Sequence, residues 1–397
     1  MDTISSIRCV AYYGTMEHPG EFWADGVLRP VEIYPETGPG EIPLRRSGAT
    51  SYAMRSVFVH VETSRGLVGT GGPITDHQAL IIRQALAPAL VGRNALATEL
   101  LWDIMYRTLV HGRKGTEMLA ISALDCALWD LKGKHFGVPV HVLLGGPVRD
   151  SIPAYASALG YSLDLDRARE TAAAFVRQGY RGTKWFPRRG PADGRAGMAD
   201  NMALFETLRD AVGPSVDIMI DAWMSWDVPY TLAMADRLGD VAPRWIEEAV
   251  MPDKHASYAE ITRRIGNGIA VAGGEHEYTR WGLQALMDAR AMHVYQPDTY
   301  WAGGISEMLK IAALATTYDV ELIPHGHSVP ANANLSFALP VTTTPLIEFL
   351  VKWNVVHQYF LATPVTPVNG LILPPAEPGL GMELDADRIE SQEELGW

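Results

Sequence analysis

Three runs decide the reading of this chain: Val216-Asp217-Ile218-Met219-Ile220-Asp221, Arg244-Trp245-Ile246-Glu247, and Ile269-Ala270-Val271-Ala272-Gly273-Gly274-Glu275. Each is a short, largely apolar stretch that closes on a carboxylate, and the two intervals between the carboxylates are nearly equal. Such a period has room for one strand, one helix and two loops, so the three acids fall at one phase of a β/α repeat and at the same end of a sheet. Three convergent carboxylates repel one another unless a cation neutralises them. Hard oxygen donors of this kind favour a small hard divalent ion, which points to magnesium. Asp221, Glu247 and Glu275 are therefore the expected metal ligands.

The alternation extends on both sides of these runs. Residues 153–158 and 182–185 read as strands, with helical spacing over 164–178 and 198–212. Downstream, 293–296 leads into Pro297-Asp298, 321–323 into Pro324-His325, and 345–347 into Glu348. About eight strand–helix units, each strand closing on a polar residue, predict a (β/α)8 barrel of α/β class with its active site on one rim. Eight near-equal units favour closure over an open doubly wound sheet.

The segment 1–135 follows another grammar. Residues 4–13 read as a strand, and 16–47 run without period through five prolines, a length that suggests a functional lid. Val57, Val59 and Val61 alternate with polar residues before the turn Ser64-Arg65-Gly66, so a hairpin follows. Residues 76–90, 97–106 and 116–134 carry helical spacing. This is an α+β capping unit. The barrel is expected over 136–360, and the Pro-rich segment 361–397 is expected to return to the cap. Gly66 with Gly69-Thr70-Gly71-Gly72 superficially suggests a dinucleotide loop, but the following helix and acidic residue are missing at the required offsets.

Composition excludes several classes. A net charge of −13, from 46 acidic and 33 basic residues, disfavours nucleic acid and anionic membrane surfaces as partners. No stretch approaches the ~18 uninterrupted apolar residues of a spanning helix, and the N-terminus has no apolar signal core. Cys9 and Cys126 are far apart and outside any metal-binding spacing, which fits a reducing cytoplasm.

Longer motifs carry a family resemblance. They are Trp245-Ile246-Glu247-Glu248 within the spacing Asp221…Glu247…Glu275, the segment Ser122-Ala123-Leu124-Asp125-Cys126-Ala127-Leu128-Trp129-Asp130-Leu131-Lys132-Gly133, Leu143-Leu144-Gly145-Gly146, and Pro378-Gly379-Leu380-Gly381-Met382-Glu383-Leu384. Together they resemble the enolase superfamily, in its mandelate racemase/muconate lactonizing group, over nearly the whole chain. Lys184 ahead of Gly190-Pro191, Asp221-Ala222-Trp223-Met224-Ser225, Gly274-Glu275-His276, Gln296-Pro297-Asp298 and Pro324-His325-Gly326 are most similar to its dehydratases of L-rhamnonate-like sugar acids. The chain departs from that pattern at Trp185-Phe186-Pro187-Arg188-Arg189, at His327, and at Asn332 and Asn334. The resemblance implies a (β/α)7β barrel, a magnesium cofactor, a small sugar-acid substrate and a homo-oligomer.

The chemistry follows beside the resemblance. The C2 proton of an α-hydroxy acid is too weakly acidic for any side chain unless fixed positive charge stabilises the enediolate. His325 closes one strand and Asp298 the preceding one, so the carboxylate can hold one ring nitrogen while the other acts as base. Lys184, across the mouth, is a second acid/base or a neutralising charge, and the resemblance gives Glu348 a hydrogen bond to the enediolate oxygen. Arg29, Arg45 and Arg188 are candidate clamps for a sugar acid, with His276 and His327 as candidate substrate contacts. Taken singly, an acid at a strand end is more often a helix cap, a histidine more often structural, and a loop arginine more often solvated. The reading is thus a sugar-acid dehydratase. A racemase or epimerase, a cycloisomerase and a non-catalytic relative are the alternatives, and the resemblance disfavours the racemase, since Lys184-Trp185-Phe186 stands where racemases of the group carry two lysines one residue apart.

Overall fold

The structure is a computed structural model that describes residues 2–37, 44–112 and 114–396. Its first sheet is antiparallel. Strand β1 (Ile4–Glu17) pairs with β3 (Ser51–Thr63), whose other edge carries both the two-residue β2 (Arg45–Arg46) and β4 (Val68–Ile74). Val57, Val59 and Val61 are buried, but so are Phe58 and His60 between them, so β3 is covered on both faces and the expected outward polar face is absent there. The glycine run has a packing cause: a Cβ on Gly69 would collide with the Ala127 carbonyl oxygen, and one on Gly71 with that of Ala123. The helix Thr116–Phe136 lies directly on the backbone of β4, and only glycine permits that approach.

That helix is buried nearly all round, between the cap sheet and the barrel. Two aspartates on it act as struts. Asp130 accepts from Thr70 N at 2.9 Å and Leu380 N at 2.8 Å, joining the cap sheet to the C-terminal segment. Asp125 accepts from Ser306 N at 2.9 Å and Ser306 Oγ at 2.6 Å, joining the cap to a barrel helix.

Eight parallel strands form the second sheet: β5 (Ile152–Ser157), β6 (Gly182–Trp185), β7 (Asp217–Asp221), β8 (Trp245–Glu247), β9 (Ala270–Gly273), β10 (Val294–Tyr295), β11 (Glu321–Leu322) and β12 (Ile347–Leu350). Each pairs with its predecessor through β11, and β12 returns to pair with β5. The sheet is curled, because Tyr155, Met219, Trp245, Ala272, Val294 and Ile323, from strands all round it, pack into one inner cluster. Among the described residues β11 and β12 share no ladder. That seam is bridged by Leu322 N to Thr343 O at 2.7 Å and Gly326 N to Glu348 Oε2 at 2.8 Å. Helices such as Leu165–Arg177, Gly194–Val212 and Gly304–Tyr318 connect the strands, as a parallel sheet requires.

The C-terminal return begins on the barrel: β13 (Leu371–Ile372) pairs antiparallel with β5, and only then does β14 (Ser391–Glu394) reach β1. The expected lid, residues 16–47, gives up its ends to strands, residues 16–17 to β1 and 45–46 to β2, and is anchored near its start. Phe22 and Trp23 are buried, Ala24 N donates to Gly160 O at 2.8 Å, and Asp25 Oδ2 accepts from Leu163 N at 2.8 Å. Residues 38–43 of that stretch lie outside the described residues.

Removing the Asp125 strut leaves the Ser306 groups buried without their acceptor. Asp125→Ala should lower unfolding stability by about 2–3 kcal/mol, measured by chemical denaturation. Stability equal to that of the parent protein would mean that this contact does not hold cap to barrel.

Candidate active site

The C-terminal ends of the barrel strands converge on a buried cluster of charges. Ladder register sets Asp221 opposite Glu247, and Lys184, one position before the end of β6, reaches across to both. Its Nζ lies 2.9 Å from Asp221 Oδ2, 2.5 Å from Glu247 Oε1 and 2.8 Å from Glu348 Oε1. Burial works against the ammonium, but the three carboxylates hold its pKa well above that of an ordinary lysine. The other oxygen of Glu247 accepts from Trp245 Nε1 and Gln296 Nε2, both at 2.9 Å.

The acidic doublet splits at this point. Glu248 has a left-handed backbone, φ 42°, uncommon for a residue with a side chain, and its carboxylate meets His276 Nδ1 at 2.9 Å. Glu275 lies 3.6 Å from the same nitrogen. Glu248, Glu275 and His276 can bring one donor atom each within 4.8 Å of one another. The structure thus groups Asp221 and Glu247 around Lys184, and Glu275 with Glu248 and His276. Asp221 links the groups electrostatically: burial pushes its carboxyl up to about 6, with Glu275 and Glu248 adding to the rise against Lys184.

Glu247 is pushed up to about 8 by burial and then by Asp221, and Glu275 to about 7 by burial, offset in part by His325. Buried carboxylates that resist ionising in this way are short of positive charge. The carboxylate oxygens of Asp221, Glu247 and Glu275 are donors of the kind a hard divalent ion takes.

On the facing strands, His325 Nδ1 is 2.8 Å from Asp298 Oδ2, and His325 Nε2 is 3.5 Å from Glu275 Oε2. Asp298 is held in turn by Tyr300 N at 2.7 Å. Burial pulls the imidazole down, but Glu275, the Asp298 hydrogen bond and Glu348 outweigh it and carry His325 up to about 10. His276 rises to about 9 in the same manner: Glu248 overcomes the burial penalty. Glu348 moves the other way, below an ordinary glutamate, because Lys184 and His325 outweigh its burial.

The arginines have other positions. Arg188 donates to Val27 O at 2.5 Å and to Glu32 Oε2 at 3.1 Å, and Arg29 Nε meets Glu32 Oε1 at 3.2 Å. Glu32 therefore brings Arg29 and Arg188 together on the lid, which Ser225 Oγ also holds through Leu28 O. Arg45 is exposed on β2, paired with Ala53. Among the described residues the structure brings it to none of the charged cluster. His327 lies beyond the base, its ring 6.4 Å from that of His325. Sequence reasoning missed Glu248, although it adjoins Glu247, and missed Gln296 as a partner of Glu247. It also missed the aromatic wall of Trp301, whose ring is 5.0 Å from His325.

A parallel barrel with an α+β cap and a mouth that gathers carboxylates opposite an Asp–His pair has the architecture of a capped-barrel enzyme. The chain belongs to the mandelate racemase / muconate lactonizing enzyme family: the model of that family's N-terminal domain matches residues 30–145, and the enolase C-terminal domain-like model matches residues 166–388. An L-rhamnonate dehydratase of Saccharopolyspora erythraea is 35% identical over 377 residues, covering 92% of each chain. The structure of rhamnonate dehydratase from Gibberella zeae complexed with Mg is similar with a TM-score of 0.84 at 28% identity, over 98% of this chain and 95% of that one. The 3,6-anhydro-D-galactonate cycloisomerase of Zobellia galactanivorans gives a TM-score of 0.78 at 27% identity, over 98% and 100%.

Changing Glu247 to Gln keeps its volume and removes one negative charge. Magnesium affinity, read by calorimetry, should fall by tenfold or more, about 1.4 kcal/mol, with the far-ultraviolet dichroism retained. Unchanged binding in Glu247→Gln together with lost binding in Glu248→Gln would move the ligand role to Glu248.

Proposed function

We propose that this chain is a magnesium-dependent dehydratase of a sugar acid of the L-rhamnonate type, with Asp221, Glu247 and Glu275 as the metal ligands. The single observation that carries the reading is the Asp298–His325 pair at 2.8 Å, set beside a cluster of buried carboxylates. The curated dehydratase that matches across nine-tenths of the chain supports the same reaction class. Magnesium, when bound, supplies the fixed positive charge against which negative charge on the substrate carboxylate builds up.

The protein's own groups do the rest. Asp298 occupies Nδ1, which leaves Nε2 as the nitrogen to take the C2 proton; a divalent ion beside Glu275 would offset the negative charge that otherwise holds the ring protonated, and so free that nitrogen. The electron pair of the broken C2–H bond moves toward C1, and its return to C2 and C3 expels the C3 hydroxyl. The proton on His325 leaves with that hydroxyl as water. The resulting enol takes a proton at C3 and gives up the proton of its C2 hydroxyl to solvent, leaving a 2-keto-3-deoxy acid. Glu348, which accepts from Gly326 N and pairs with Lys184 Nζ, helps to hold that ammonium at the mouth. Burial of Phe22 and Trp23 beside the strand-end loops supports a lid that keeps bulk water from the reacting carbon.

A one-base dehydratase is favoured over a two-base racemase by the state of Lys184. An ammonium gripped by three carboxylates is a poor proton acceptor, and it serves better as a neutralising charge for substrate and leaving group.

His325→Asn should abolish both dehydration and exchange of the C2 proton with solvent deuterium, a loss of about 10³-fold or more. Lys184→Met should slow turnover while C2 exchange survives. Exchange that persists in His325→Asn but vanishes in Lys184→Met would place the base on β6 and restore the racemase reading.

A further inference from the structure

We infer that His327, His357 and Trp353 form a specificity recess beside the base, one that receives the uncharged, hydroxylated tail of the substrate; this rests on the sugar-acid reading above. The wall of the mouth is continuous in that direction. Trp301 touches the ring of His325 at 5.0 Å and that of His327 at 5.2 Å between centroids, and the two imidazoles lie nearly parallel, 18° apart. Beyond them His327 meets His357 edge-on at 4.4 Å and Trp353 at 5.6 Å. Val351–His357 is the helix that follows β12, so the recess joins the ends of β11 and β12 across the open seam of the barrel.

Four buried polar atoms, three on these rings and one on the adjoining Ser328, have no hydrogen-bond partner among the described residues: His327 Nδ1, Trp353 Nε1, His357 Nε2 and Ser328 Oγ. Ser328 and His357 are 1% and 6% exposed, while His327, Trp301 and Trp353 are half-buried. Orphaned donors and acceptors of this kind are rare in folded proteins and costly to keep. A site built to hydrogen-bond hydroxyls rejects analogues that lack them, which gives such atoms a use.

The chemistry of the recess selects the ligand. Burial, and then His357, hold His327 down to about 3, and burial followed by His325 does the same for His357. Two neutral imidazoles, an indole N–H and a hydroxyl offer donors and acceptors on flat apolar faces without cationic charge. A second carboxylate or a phosphate would meet no counter-charge there. Secondary hydroxyls on an aldonic chain suit it, with the chain leading away from the carbon at His325.

The test compares a hexonic acid with a four-carbon tetronic acid too short to reach the recess. His327→Phe keeps the aromatic wall and removes the ring nitrogens, and His357→Leu removes the second imidazole. In each, the ratio of kcat/KM for hexonic over tetronic acid should fall at least tenfold, about the loss of one well-placed hydrogen bond to substrate. Trp353→Phe, which loses only the indole N–H, reads the same effect should His357→Leu fail to fold. Equal losses on both acids, or an unaltered ratio at an unaltered melting temperature, overturn the recess. So does a wild-type enzyme that dehydrates hexaric diacids as readily as hexonic acids. Those results leave the dehydratase reading standing, whereas no C2 exchange with any aldonic acid overturns both.

Discussion

The mouth of this barrel is dominated by buried negative charge. Asp221, Glu247, Glu248, Glu275, Asp298 and Glu348 are all nearly inaccessible, and an isolated buried carboxylate is expensive. Lys184 meets that cost on one side, held by three of them within 2.9 Å, while His325 and His276 meet it on the other. The placement of Lys184, His276 and His325 among the acids and the fit of a divalent ion both answer to that charge. A fold that crowds acids so closely is committed to binding cations.

The cap serves this cluster from outside. Asp125 ties the cap helix to the barrel through Ser306, and Asp130 ties it to the C-terminal segment. The lid is fastened separately, through Arg188, Ser225 and Gly160, to loops that follow three successive barrel strands. The lid therefore rests on the loops after β5, β6 and β7, while Asp298 and His325 follow β10 and β11 on the same rim. Left-handed backbone at Trp223, Met224 and Glu248 concentrates strain in the loops after β7 and β8, where such conformations tend to serve function.

Much of this was legible in the sequence, for a physical reason. In a parallel barrel every strand ends on the same rim, so polar residues that close apolar runs are brought together whatever the loops do. That rule carried Asp221, Glu247, Glu275, Asp298, His325 and Glu348 to one cluster, and it carried the curled eight-stranded sheet. What escaped depends on backbone direction and on loop partners. The positive φ of Glu248 turns it from its neighbour, and nothing in the string Glu247-Glu248 announces the turn. Arg188 follows a strand end as a substrate clamp would, yet its guanidinium meets the carbonyl of Val27, in a lid far back along the chain. His327 finds its neighbour well downstream in His357, across a seam that periodicity does not mark.

The central claim is that His325 opens a dehydration at C2 of a sugar acid. The most direct measurement is proton NMR of the products formed by the wild-type protein in deuterium oxide from a panel of aldonic acids, with and without magnesium. The account predicts a 2-keto-3-deoxy acid carrying one deuterium at C3, formed only when magnesium is supplied. An intact hydroxy acid inverted at C2 and deuterated there, with no dehydration product from any member of the panel, would contradict it.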